Sequence, residues 1–174
     1  MYKNCEWLPE LIKFDTMIED EIIEILYKIF KTNIHNRSFS YEGKEVHFRK
    51  DPLWKNKEES FFHMISDKNL HNNSYYSLNM DRARRLLWSK ALILHSPCRV
   101  QSAKKCCKGV LSWHFLYNGK KDRVKILHSE YRYLVILENR DNYWLFITGY
   151  YIENGYKHKD LIKEYKKSLL SYKL

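Results

Sequence analysis

Apolar residues between positions 18 and 30 recur at the three- and four-residue spacing of an α-helix. The preceding Thr16-Met17-Ile18-Glu19 matches a capping box, in which the threonine and glutamate side chains bond the first backbone amides. An amphipathic helix ending near Asn33 is therefore predicted. The following SFSYEGKEVHF alternates polar and apolar residues loosely around Glu42-Gly43, which indicates a β-hairpin.

The middle of the chain gives weaker signals. The lysine-rich stretch 49–60 and the Asn- and Ser-rich stretch 67–79 are predicted to be loops. Periodicity cannot assign the short apolar run FFHMI (61–65) to either structure. Asn79 can cap a helix through DRARRLLWSKALILH, and the predicted apolar face comprises Ala83, Leu86, Leu87, Ala91 and Leu94.

The second half has the pattern of four strands, at 109–117, 123–128, 131–138 and 143–152, joined by three turns. Asn118-Gly119 is the strongest of the turn signals. Consecutive strands joined by short turns form an antiparallel meander. The final stretch repeats apolar residues at helical spacing over 159–172, with lysines between them.

The fold class predicted from this order is α+β: a four-stranded antiparallel meander with helices packed on one face, preceded by an N-terminal helix and hairpin. A single domain over residues 1–174 is expected, with an N-terminal helical segment (1–35) and a core (38–174). The uncovered face of the sheet would then be available for a site.

The amino-acid composition favours one class of binding partner. The chain has 31 Lys and Arg against 21 Asp and Glu, a net charge of +10, which favours a polyanion. It has no apolar run of 18 residues, and its first 15 residues do not resemble a secretory signal, so we expect a cytoplasmic protein with no membrane partner. The cysteines lack zinc-ligand spacing, so reduced thiols, no metal and no cofactor are expected: Cys5, Cys98, Cys106 and Cys107.

The chain lacks the glycine-rich phosphate-binding motifs, the HExxH motif and a DxD-like acidic pair. Its histidines, arginines, tyrosines and threonines suit RNA cleavage by the substrate's own 2′-hydroxyl, which needs a base, an acid and cations around the phosphate. His63 is the leading candidate because imidazole titrates near neutral pH. The alternative is a half-buried histidine bonded to a backbone carbonyl.

Two further pairs could assist such chemistry. Arg82 and Arg85 fall on one helical stripe and could clamp a phosphate, although a solvated helix face is the commoner role for such arginines. Thr148 and Tyr150 share one strand face beside Gly149, which could let a ligand approach closely. The alternative for this pair is a bulge flanked by ordinary strand residues.

Several blocks over residues 40 to 165 resemble short phage- and plasmid-associated proteins of the Barnase–EndoU–colicin–RelE (BECR) ribonuclease superfamily. The similar blocks are YEGKEVHF, DPLWKNKEESFFHMIS, DRARRLLWSKALI, KKDRVKIL, EYRYLVILENRDNYWLFITGYYIE and HKDLIKEY. The chain departs from the family pattern at Phe62, Ala91 and Gly149, where tryptophan, proline and alanine are usual.

The resemblance implies a metal-independent RNA endonuclease that leaves a 2′,3′-cyclic phosphate, in a toxin or phage-related role. The implied catalytic residues are His63, Arg82, Arg85, Thr148 and Tyr150, and the residues expected to bind RNA are Arg123, Trp88 and Lys57 of the lysine-rich loop. The implied partners are RNA, either free or ribosome-associated, and an acidic antitoxin or inhibitor protein.

Two other functions fit the same sequence. A catalytically inactive RNA-binding module would use the same cations and stack bases on its aromatic residues. A protein-interaction module would dock an acidic partner through the basic surface. The first alternative gives no reason for His63 to lie beside the phosphate-binding arginines, so the convergence of these residues distinguishes it from an enzyme.

Overall fold

A computed structural model describes residues 7–16, 18–68, 76–96 and 109–171. The four cysteines, Met17 of the predicted capping box, the middle of the predicted loop (69–75) and residue 172 of the predicted last helix lie outside these ranges.

The architecture is α+β, built on a six-stranded sheet in which β1 (Ser40–Tyr41) and β2 (Lys44–His47) are followed by β10, β9, β8 and β7. Four of these strands are consecutive and pair antiparallel: β7 (Val110–Tyr117), β8 (Lys121–His128), β9 (Tyr133–Asn139) and β10 (Tyr143–Tyr151). The turn between β7 and β8 has positive φ angles at Asn118 and Gly119, as the predicted hairpin turn requires. The pairing predicted for these four strands is therefore present, but the sheet extends beyond them.

The predicted first hairpin supplies the other two strands. β1 (Ser40–Tyr41) and β2 (Lys44–His47) are antiparallel around Glu42-Gly43. β2 also pairs in parallel with the first residues of β10, from Tyr143 opposite Glu45 to Leu145 opposite His47. The prediction did not include this parallel pair, which joins segments almost a hundred residues apart.

The stretches predicted to be loops contain regular structure. Residues 49–60 include a small hairpin, β3 (Leu53–Trp54) with β4 (Lys57–Glu58), and the start of α2 (Glu59–Ile65). The FFHMI run is thus helical. β5 (Ser66–Lys68) pairs with β6 (Tyr76–Leu78), so the ends of the predicted 67–79 loop are strands.

The helix predicted after Asn79 is broken. Asn79 does cap α3 (Met80–Ala83), with its side chain accepting from the Arg82 amide at 3.1 Å. A turn over residues 84–87 then separates α3 from α4 (Trp88–Leu94). Leu94, predicted on the apolar face, is about half exposed, whereas Trp88, Leu92 and Ile93 are buried.

The first helix also begins differently from the prediction. α1 (Glu19–Phe30) has Ile18 at its N-cap with no side-chain cap, and continues as a π-helical turn over Lys31–His35. The Thr16 hydroxyl accepts from the Ile18 amide at 3.1 Å, which is a turn contact and not a capping box.

The helices lie on both faces of the sheet. A large core contains buried residues of α1 to α4 together with one face of the strands, including Leu26, Phe61, Val124 and Phe146. The last helix, α5 (Gly155–Ser171), packs on the opposite face in a smaller cluster with Trp113, Leu127, Leu134 and Leu161. The prediction that all helices share one face was therefore wrong for α5, because Leu111 and Trp113 of β7, Leu127 of β8 and Leu134 of β9 form a second apolar surface. No helix within the described ranges is long and apolar enough to cross a membrane.

Candidate active site

An irregularity in β10 creates the space for a site. β2 pairs with β10 only over 143–145, and the register of β10 against β9 shifts between Phe146 and Thr148. Beyond this bulge, α2 and α3 contact β10 in place of a further strand. The bulge therefore brings the side chains of α2 next to the second face of the sheet, which α5 covers only in part.

A cavity of about 240 Å³ opens at this junction. It is lined by residues from five separate parts of the chain: Arg49, Glu59, Ser60, His63, Tyr117, Arg123, Phe146 and Ile147. We call it the His63 cavity. It collects an imidazole, a carboxylate and two guanidinium groups around one opening.

His63 and Glu59 are one helical turn apart on α2. The His63 Nε2 atom lies 3.4 Å from Glu59 Oε1, and Glu59 Oε2 lies 3.3 Å from Arg49 Nη1. The Ser60 hydroxyl donates to the Arg49 carbonyl at 2.7 Å, which fixes the backbone that carries this arginine. About a third of the His63 side chain is exposed and lines the cavity, whereas its Nε2 atom, beside Glu59, is buried.

Arg123 enters the cavity from β8 and is held firmly. Its Nε and Nη2 atoms lie 2.8 and 2.7 Å from Glu138 Oε2, on the adjacent strand. The guanidinium also lies 3.7 Å from the centroid of the Tyr117 ring. Glu138 is almost fully buried and also pairs with Arg140, so a buried carboxylate fixes the position of the arginine.

The predicted residues Arg82, Thr148 and Tyr150 meet His63 at its backbone. Arg82 Nη1 and Thr148 Oγ1 both donate to the His63 carbonyl, at 3.3 and 3.4 Å. The Arg82 guanidinium lies 5.1 Å from the Tyr150 ring centroid and forms an ion pair with Asp67 at 2.8 Å. These three residues therefore hold the end of α2 against β10, and they do not line the His63 cavity.

Arg85 points elsewhere. It forms an ion pair with Asp81 at 2.7 Å, and its guanidinium lies 4.3 Å from the ring centroid of Tyr151 and 5.3 Å from that of Trp88. Tyr150 and Tyr151 are neighbours on a strand and so face opposite sides of the sheet. The two arginines therefore do not converge on one anion, because the helix that was expected to align them ends at Ala83.

Two residues expected to bind RNA are not accessible. Trp88 is 1% exposed and donates from Nε1 to the Pro9 carbonyl at 2.8 Å. Lys57 is 8% exposed and forms an ion pair with Glu24 at 2.6 Å. The lysine precedes α2 on the short strand β4, whose packing against α1 turns its side chain away from the His63 cavity.

Gly149 also has a role different from the expected one. Its open side faces the buried hydroxyl pair of Ser89 and Tyr133, which lie 2.8 Å apart. Burial raises the pKa of Tyr133 to about 12, which keeps the phenol protonated and able to donate. The missing side chain at Gly149 thus makes room for two core side chains and not for a ligand.

Sequence reasoning missed Arg49, Glu59 and Tyr117 in the cavity. One local signal was present, because Glu59 and His63 have the i, i+4 spacing of neighbours on a helix. It could be used only if FFHMI was assigned as helical. Arg49 and Tyr117 reach the cavity through long-range packing, for which the sequence contains no local signal.

In the part of the chain that the structure describes, no group of three or more His, Cys, Asp or Glu side chains could hold a metal ion. Comparison of the chain with protein-family models, with curated proteins and with solved structures gives no match.

Proposed function

We propose that this protein is an endoribonuclease whose reaction centre is the His63 cavity. The observation that carries the proposal is the placement of the His63 imidazole beside Glu59, in a cavity that Arg49 and Arg123 also line. The groups that can transfer protons and the groups that can bind an anion thus line the same cavity. A phosphodiester bound by the two guanidinium groups would lie within reach of the imidazole.

The reaction that fits these groups is transesterification by the 2′-hydroxyl of the substrate. A base removes the proton of the 2′-hydroxyl, the resulting oxygen attacks phosphorus, and the bond from phosphorus to the 5′-oxygen breaks. An acid gives a proton to the departing 5′-oxygen, which leaves a 2′,3′-cyclic phosphate and a 5′-hydroxyl. The Glu59 carboxylate and the His63 imidazole are the groups in the cavity that can fill these two roles.

The guanidinium groups supply electrostatic stabilisation. The phosphorane formed during attack carries more negative charge than the starting diester, so fixed cations stabilise it more strongly than the ground state. Arg123 is fixed by Glu138 and stacked on Tyr117, so little reorganisation is needed when the charge develops. Arg49 is half exposed and adds a second positive charge.

In this proposal Arg82 and Thr148 act as positioning residues, since both bond the His63 carbonyl. Tyr150 supports Arg82 through its ring. Arg85 has no direct part in the reaction, because it contacts the opposite face of β10. The resemblance to BECR ribonucleases supports the same reaction class, and a toxin or phage-related role in the cytoplasm with an acidic inhibitor partner belongs to the proposal on that ground.

The test is cleavage of total RNA, including ribosome-bound message, by the purified protein in the presence of EDTA. We expect His63→Ala to slow cleavage by about a hundredfold or more, because general acid–base catalysis contributes that much. His47→Ala is the matched control, since His47 is a half-exposed histidine on β2 that pairs with Glu45 outside the cavity. Full activity of His63→Ala would exclude the proposed centre.

Other outcomes identify the alternative functions. RNA binding without cleavage of any RNA would indicate an inactive RNA-binding module. A complex with an acidic protein that survives ribonuclease treatment, together with no cleavage, would indicate a protein-interaction module.

A further inference from the structure

A second, larger cavity lies at the end of the sheet next to the His63 cavity. Its volume is about 730 Å³, and its lining includes four cationic side chains, Lys44, Lys120, Lys121 and Arg140. Three carboxylates, Asp122, Glu138 and Asp141, also line it, so the cavity has a net charge of +1. We call it the Arg140 cavity.

Two of the three carboxylates in this cavity are held by neighbouring groups. Glu138 binds Arg123 and Arg140, and Lys121 lies 3.9 Å from its Oε1 atom. Asp122 accepts from the Asn139 amide at 2.8 Å and lies 3.1 Å from His114 Nδ1. The exposed Lys120, on the turn after Asn118-Gly119, adds its charge at the rim.

The two cavities share one ionic network. Arg123 lines the His63 cavity and Glu138 lines the Arg140 cavity, and these two residues are direct partners on β8 and β9. Lys121 precedes Arg123 by two residues on the same face of β8, which separates their backbones by about 7 Å. Adjacent phosphates of an extended nucleic-acid strand have a similar separation, so both cations can serve one strand.

We propose that the Arg140 cavity is a second phosphate-binding subsite, which holds a neighbouring phosphate of the RNA strand whose scissile phosphate lies in the His63 cavity. This inference rests on the proposed function, because it assumes that the bound RNA strand is the one cut in the His63 cavity. The RNA backbone passes over Arg123 and Lys121, and Lys120 and Arg140 bind the phosphate beyond the reacting one. A substrate with several phosphates is therefore bound more tightly than one with a single phosphodiester.

The test measures binding and not cleavage. The probe is a fully 2′-O-methylated single-stranded oligonucleotide, which the proposed reaction cannot cut, and its affinity is measured over a range of salt concentrations. Lys120→Gln and Arg140→Gln should each weaken binding at low salt by about tenfold. Each should also reduce the slope of log affinity against log salt by about 0.7, the value for one lost phosphate contact on a single strand.

Lys28→Gln is the matched control, because Lys28 is exposed on α1, lines neither cavity and removes the same unit of charge. Slopes for Lys120→Gln and Arg140→Gln equal to that of Lys28→Gln would overturn the subsite. Arg140 contacts a buried carboxylate, so its replacement could impair folding. In that case the salt slope of Lys120→Gln, a substitution of an exposed residue, tests the subsite on its own.

The two proposals fail in different ways. Altered slopes in a protein that cuts no RNA would support the subsite and overturn the ribonuclease. Cleavage that depends on His63, with slopes unchanged by Lys120→Gln, would support the ribonuclease and overturn the subsite. A wild-type protein that does not bind the oligonucleotide would overturn the subsite.

Discussion

Gly149 lies at a point where β10 passes close to Ser89 of α4. A Cβ atom at this position would collide with the Ser89 hydroxyl and would lie 3.0 Å from the Tyr133 hydroxyl. Both hydroxyls belong to a buried hydrogen bond, so neither can move into solvent. The sequence showed a glycine between two polar strand residues, but it could not show which side of the strand needed the space.

Gly149→Ala should therefore destabilise the protein by about 1–3 kcal/mol, the usual cost of overpacking a core. The measurement is the free energy of unfolding by chemical denaturation. Gly155→Ala is the control, since nothing lies within 4 Å of a Cβ at that position and its φ is not positive, so it should leave the stability nearly unchanged. Adding Ser89→Ala should recover part of the loss, and a Gly149→Ala protein as stable as the control would contradict this account.

At the scale of elements, local signals predicted most of the strands. The turn Asn118-Gly119 and the strand-forming residues of β8 and β9 act over a few residues, and the corresponding hairpins are present. The parallel pairing of β2 with β10 could not be predicted, because it depends on contacts between distant segments. The break between α3 and α4 was also missed, since no Gly or Pro interrupts DRARRLLWSKALILH.

The candidate site could also be predicted only in part, because it depends on contacts between distant segments and on where the helices begin and end. His63 and Arg123 were identified from residue type and resemblance, and both line the cavity. Arg85 was misplaced because its predicted position beside Arg82 required an unbroken helix, and α3 ends at Ala83. Glu59 was missed because the five-residue run FFHMI is too short for its periodicity to reveal a helix.

The packing of α5 on the second face of the sheet can be tested in the same terms. Leu161 is 7% exposed in the smaller cluster, so Leu161→Ala should cost about 2 kcal/mol or more of unfolding free energy. Leu170→Ala, on the same helix but 66% exposed, should cost little. Equal and small effects from the two substitutions, measured by thermal or chemical unfolding, would show that α5 does not contribute to this core.

At the scale of the whole molecule, one face of the sheet serves two purposes. Leu127 and Arg123 lie on the same side of β8, four residues apart. α5 covers the end near Leu127, and the end near Arg123 stays open as the His63 cavity. The ion pair of Lys125 with Glu164, at 2.7 Å, lies at the boundary between them. The helix thus stabilises the sheet without closing the site.

The net charge of +10 acts on any nucleic acid, whereas the proposed chemistry acts only on RNA. Single-stranded DNA should therefore bind with a salt dependence similar to that of RNA of the same sequence, because both have the same phosphate charge. It should remain uncut, since it lacks the 2′-hydroxyl that attacks phosphorus, and it should inhibit RNA cleavage by competition. The measurement is RNA cleavage with increasing DNA, alongside direct binding of each strand. Cleavage of the DNA would show that the nucleophile comes from elsewhere, and failure of bound DNA to inhibit would place the binding surface away from the His63 cavity.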